Sequence, residues 1–122
     1  MTRSAGHSDD VDTLLPLHAF TFYILLSLTS GDRHGYGIIQ DVQERTDGAV
    51  RLSAGALYRT IARLLEQGLI VESAKRSTSS GDPRRRYYRL TAFGRSVTQA
   101  ETNRLARLVR LARGSGLVPE TP

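Results

Sequence analysis

Three consecutive arginines, Arg84, Arg85 and Arg86, stand between a turn-rich stretch and two tyrosines in "SSGDPRRRYYRLT". Guanidinium groups at this density suit a polyanion, because each offers a planar fork of donors to phosphate oxygens. No nucleophile or pair of carboxylates accompanies them, so acid–base or covalent catalysis is not indicated. A second basic group lies in "LSAGALYRTIARLLEQGLI". Helical spacing puts Leu57, Ile61, Leu64 and Leu65 on one side and leaves Ser53, Gly55, Tyr58, Arg59 and Arg63 on the wet side. Arg59 can fork onto a guanine edge or a phosphate, Tyr58 can donate to a phosphate or pack on sugar, and Arg63, a turn further on, suits a phosphate. Gly55 costs the helix about 1 kcal/mol relative to alanine and leaves room for close approach.

Charge is distributed in the same sense. Residues 1–57 carry four basic and seven acidic side chains, and residues 58–122 carry thirteen and five. The second half is therefore the side expected to meet a polyanion. His7, His18 and His34 are scattered, and cysteine is absent. Neither a thiolate nor a clustered-histidine metal site is expected, and no cofactor is called for. His18 reads as a packed helix residue and His34 as a turn or packing residue. No phosphate-binding glycine loop or nucleophile elbow is present, so an enzyme is not expected.

The elements that must hold these groups follow from periodicity and punctuation. Residues 1–13 read as a polar, flexible tail without the pattern of a signal peptide. Leu14 to Leu28 is dense in apolar residues and reads as one helix buried on most of its circumference, with Pro16 in its first turn. "SGDRHGYG" breaks it. A second helix is expected from about Tyr36 to Thr46, with Tyr36, Ile39 and Val42 or Gln43 inward, and "VRL" as a short extended piece. Ser53 is an N-cap for the third helix. "LIVESAK" and "RRRYYRLT" read as two strands of a hairpin with Tyr88 and Leu90 facing the core, and Thr91 caps a fourth helix reaching about Arg113.

This order gives an α+β, mainly helical fold. The expected organisation is a tail over 1–13, a winged helix-turn-helix domain over 14–90, a dimerisation helix over 91–113 and a second tail over 114–122. The wing arginines are placed to reach backbone phosphates or the minor groove. A stripe through Val97, Glu101, Leu105, Leu108 and Ala112 is longer than so small a domain can cover, which points to a homodimer. No apolar run approaches the roughly 20 residues of a membrane span, and a cytoplasmic location is expected. The alternative for this fold is a winged-helix module whose third helix and wing bind protein in place of DNA.

"SGDRHGYGIIQDVQ", "LSAGALYRTIARLLEQGLI" and "RRRYYRLTAFGR" together resemble the PadR family of winged-helix transcriptional regulators, over about residues 14–112. The resemblance implies a homodimer that represses transcription from an inverted-repeat operator and is released by a small phenolic or hydrophobic effector. It also implies a dimer contact made by the N-terminal helix, with Leu17, and the C-terminal helix. His34, Gly35 and Tyr36 fall at the family's start of the second helix, Tyr58 on its recognition helix and Tyr88 on its wing strand. With a single C-terminal helix the chain resembles the short subfamily. Members that bind drugs stack them on tryptophan, which this sequence lacks. Phe20, Tyr23 and Leu108 are the expected effector contacts.

Overall fold

The computed structural model describes residues 10–73 and 85–118. Residues 10–13 are helical and Val11 is buried, so the expected tail does not extend through 13. The expected helix from Leu14 to Leu28 is broken. Its regular part is α1, Ala19–Ser27, and Pro16 precedes it after a cis Leu15–Pro16 bond. His18 is not within the helix; it is the exposed N-cap, its Nδ1 accepts from the Phe20 amide at 3.0 Å and its ring stands edge-on to that of Phe20 at 5.3 Å.

β1, Arg33–His34, leads directly into α2, Gly35–Arg45. The inner face of α2 is Gly35, Ile38 and Val42, whereas Tyr36 is exposed and Ile39 only partly buried. The expected phase was therefore wrong at its first two positions. The "VRL" segment forms no strand, although Leu52 is buried. α3 spans Ala54–Glu66 and buries Leu57, Ile61 and Leu64; Leu65 falls outside this stripe and is exposed.

β2, Ile70–Ser73, and β3, Tyr87–Leu90, form the expected antiparallel pair, with Ile70 opposite Leu90 and Glu72 opposite Tyr88. The sheet has a third strand that the sequence reading missed. β1 pairs with β3 on its other edge, giving the order β1-β3-β2, with Arg33 opposite Tyr88 and His34 opposite Tyr87. Tyr88 and Leu90 point into the core as period-2 alternation requires. Arg84 and the hairpin tip lie outside the described residues.

α4, Ala92–Gly114, is 23 residues long, about 34 Å at 1.5 Å per residue. Thr91 fixes its start: the hydroxyl accepts from the Gly94 amide at 2.9 Å and donates to the Gly68 carbonyl at 2.6 Å. Gly94 is required by packing, since a Cβ there would collide with the Leu69 carbonyl. α1 packs against both α2 and α4, and one core runs from Ile24 and Leu25 through Ile38, Leu57 and Leu64 to Tyr88 and Val97.

Candidate nucleic-acid interface

The serine before α3 caps it through Ser53 Oγ, which accepts from the Ala56 amide at 3.1 Å. Burial of Leu57, Ile61 and Leu64 then fixes the roll of the helix and turns Ser53, Gly55, Tyr58, Arg59 and Arg63 outward, all exposed. Arg59 and Arg63 form no ion pair among the described residues. A Cβ at Gly55 would meet only Arg59 Nη1, at 3.4 Å. The fold itself therefore leaves that surface open.

Tyr58 joins this face to the sheet. Its hydroxyl lies over Gly35, where any Cβ would clash with it, so glycine at the first position of α2 lets the two helices cross this closely. Beside Gly35, His34 caps α2: its Nδ1 accepts from the Gly37 amide at 3.0 Å. Arg85 reaches the other ring nitrogen, with Nη1 3.0 Å from His34 Nε2, and the Tyr87 ring stands edge-on to the imidazole at 5.3 Å. Burial, and then the Arg85 charge, hold the His34 pKa below its ordinary value, which keeps the ring neutral at pH 7. Arg86 faces Glu72 at 3.9 Å, a long contact between two exposed side chains.

These groups enclose a cleft of about 340 Å³ lined by His34, Gly35, Tyr36, Tyr58, Arg85, Arg86 and Tyr88. Tyr88 is only 5% exposed. Burial raises its pKa, helped by Tyr58 and Glu72 and opposed by Arg86, so it stands as a neutral phenol. Of the residues expected to bind DNA, the structure brings Tyr58, Arg85 and Arg86 together here and sets Ser53, Gly55, Arg59 and Arg63 along the adjoining helix. His34, Tyr36 and Tyr88 join them. The sequence alone suggests a turn or packing role for His34 and an inward position for Tyr36; Tyr88 does face the core as expected and also lines the cleft. The usable signal was a histidine immediately before Gly-Tyr-Gly, which is an N-cap position with its second nitrogen left over. A broader groove of about 540 Å³ on the far side of Tyr36 is lined by Ile39, Gln40, Gln43, Glu44, Asp47 and Gly48, and its two acids disfavour a polyanion.

The expected dimer stripe divides in two. Val97 is fully buried within its own subunit and is not available to a partner. Glu101 is also buried, forked onto Arg104 through contacts of 2.7 and 2.8 Å and accepting from the Leu17 backbone amide. Leu17 is itself partly buried against the core. Beyond this point Leu105 and Ala112 are partly exposed, Leu108 and Val109 exposed, and Leu111 is 70% exposed. Of the expected effector contacts, Phe20 and Leu108 are exposed and Tyr23 packs on the core; neither cleft described above includes them. No group of three potential metal ligands occurs among the described residues, and none of their helices is long and apolar enough to cross a membrane.

A capped basic helix set against a small antiparallel wing defines a winged helix-turn-helix protein of the DNA-binding class. The sequence model of the transcriptional regulator PadR-like family matches residues 24–100, more than half of the chain, and the protein belongs to that family. It is accordingly a DNA-binding transcriptional regulator and not an enzyme. The chain is 33% identical over 73 residues to an uncharacterised protein of Lysinibacillus sphaericus, an alignment spanning 60% of this chain and 65% of that relative. Among solved structures, a PadR family transcription regulator from Clostridium difficile superimposes with a TM-score of 0.67 at 26% identity, covering 83% of this chain and all of the other. A transcriptional regulator from Clostridium thermocellum gives 0.65 at 25% identity, covering 88% and 94%. Bacillus subtilis PadR in complex with operator DNA shares the fold at a TM-score of 0.58 and 19% identity, over 88% of this chain and 51% of that one.

Proposed function

We propose that the protein is a homodimeric repressor that binds an inverted-repeat operator, with α3 in the major groove and the wing arginines on the backbone. One observation carries this reading. From Ser53 to Arg63 the exposed face of α3 holds no acid, and through Tyr58 it continues into Arg85 and Arg86. A face of this kind attracts phosphate along its whole length while offering Arg59 to base edges. Bacillus subtilis PadR, which shares the fold, has been captured on operator DNA. Ser53, Gly55, Tyr58 and Arg59 are assigned to the groove, and Arg63, Arg84, Arg85 and Arg86 to phosphates. The dimer uses Leu105, Leu108 and Ala112 with Leu17 nearby. Phe20, Tyr23 and Leu108 are the positions proposed for a small aromatic or hydrophobic effector, supported by the exposure of Phe20 and Leu108.

Selection of bound duplexes from a random pool with the purified protein tests this reading. The expected product is a paired, inverted motif with half-site centres about one helical turn, 34–36 Å, apart. Recovery of unpaired or random sequences rules out the symmetric operator.

A further inference from the structure

His34 and Arg85 meet in a way that ordinary hydrogen bonding does not explain. Nδ1 of His34 is occupied as the acceptor for the Gly37 amide. A neutral imidazole has one acceptor and one N–H, so the proton must be on Nε2. Arg85 Nη1, which can only donate, lies 3.0 Å from that same Nε2. Two donors therefore face each other with no acceptor between them. Across the same cleft the Tyr88 hydroxyl, on a side chain 5% exposed, has no hydrogen-bond partner among the described residues. Tyr58 and Arg86 complete the lining, and the first turn of α2 begins there. Glu72 lies opposite Tyr88 in the sheet and 3.9 Å from Arg86.

We propose that this cleft is a phosphate-binding site, in which one oxyanion takes the Nε2–H of His34, the Arg85 guanidinium and the Tyr88 hydroxyl as donors. In the complex with DNA, that oxyanion is a backbone phosphate next to the base pairs read by α3. This rests on the DNA-binding reading for the source of the phosphate, but not for the existence of the site. An acceptor between His34 and Arg85 turns an opposed donor pair into two charge-assisted or polar hydrogen bonds. It also gives the Tyr88 hydroxyl, which opens on the cleft and is not buried as an atom, an acceptor. A phosphate held here carries no sequence information; it sets the register of α3 in the groove.

Two variants separate this site from the fold. His34→Asn keeps a capping oxygen for Gly37 but loses the Nε2–H. Tyr88→Phe removes a hydroxyl that supports no internal bond. Full-length variants are compared with wild type on the selected operator and on a random duplex, and melting curves confirm that each is folded. Each variant is expected to weaken binding about 10-fold per subunit, equally on both duplexes. In parallel, the His34 ¹⁵N signals are followed as DNA or inorganic phosphate is added, with chloride at equal ionic strength as control. Movement of the Nε2 signal with DNA, together with uniform affinity losses, supports the backbone phosphate. Movement with inorganic phosphate while both variants bind DNA like wild type upholds the site but assigns it to free phosphate. Unchanged affinities with unmoved signals overturn the proposal and leave the DNA-binding reading intact. A wild-type protein that binds no duplex overturns that reading instead, and the phosphate titration then decides the site alone.

Discussion

Arg104 and Arg85 each place a guanidinium nitrogen within hydrogen-bonding distance of a neighbour, but the two neighbours could hardly differ more. Arg104 forks onto Glu101, a carboxylate only 2% exposed that also receives the Leu17 amide. Two guanidinium nitrogens and a backbone amide there meet one carboxylate, and the result ties the segment before α1 to the middle of α4. Arg85 lies against Nε2 of His34, with a tyrosine that lines the same cleft. The first arginine is held by a carboxylate of the fold; the second is exposed and faces a cleft open to a ligand. A count of arginines along the chain treats them alike, and the partner's chemistry separates structural charge from binding charge.

Breaking the Glu101 contact should give the largest effect on stability. Glu101→Gln leaves Arg104 without its carboxylate, and losses for broken buried pairs run at about 3–5 kcal/mol. The exposure of Arg104 lowers this cost, because solvent screens its end of the pair. Denaturant unfolding should register the loss, while operator affinity of the folded dimer stays unchanged. The hydrogen bond from Arg104 holds the Glu101 carboxyl below its ordinary value of 4.5. The folded state thus binds fewer protons than the unfolded one as acid is added. This contribution is complete above about pH 4.5 and is lost as the pH falls through the folded value.

Arg59→Ala should come next, with a loss of about 1–3 kcal/mol on the operator and a relaxed sequence preference. Equal losses on operator and random DNA would remove Arg59 from base reading. A smaller change is expected at His34. Its pKa lies below 6.5, and a second proton would face the Gly37 amide in place of the lone pair that now caps α2. Its contribution to stability is complete above about pH 6.5 and declines as the pH falls from there to the folded value. Melting temperatures at pH 7.5 and 5.5 should therefore separate more in wild type than in His34→Asn. The smallest effect is a gain. Glu72→Gln removes the acid beside Arg86 and should tighten DNA binding by about 2- to 3-fold, as expected for one exposed charge.

Much of the fold was legible because its signals are local. Ser53 and Thr91 announce two helix starts, Leu57, Ile61 and Leu64 give the roll of α3, and the alternation in "YYRL" orients β3. Where the signal was density rather than period, the reading failed. From Leu14 to Leu28 so many residues are apolar that the break before His18 left no polar mark. In α2, Tyr36 resembles a core residue, yet Gly35 takes the inward position because Tyr58 crosses there. Val97 belongs to the same stripe as Leu105 and Leu108, and spacing cannot show where a subunit's own core stops. The basic face of α3 was visible in sequence. The cleft was not, because it depends on which nitrogen of His34 the α2 cap consumes and on β1 pairing with β3.

The central claim is that α3 reads bases while the wing and the start of α2 hold the backbone. Binding isotherms for wild type and Arg85→Ala, taken over a salt series on operator and random duplex, test it most directly. The account predicts that the slope of log affinity against log salt falls by about 0.9 for each subunit on both duplexes, with the ratio between them preserved. An unchanged slope, or a collapse of that ratio, would contradict it.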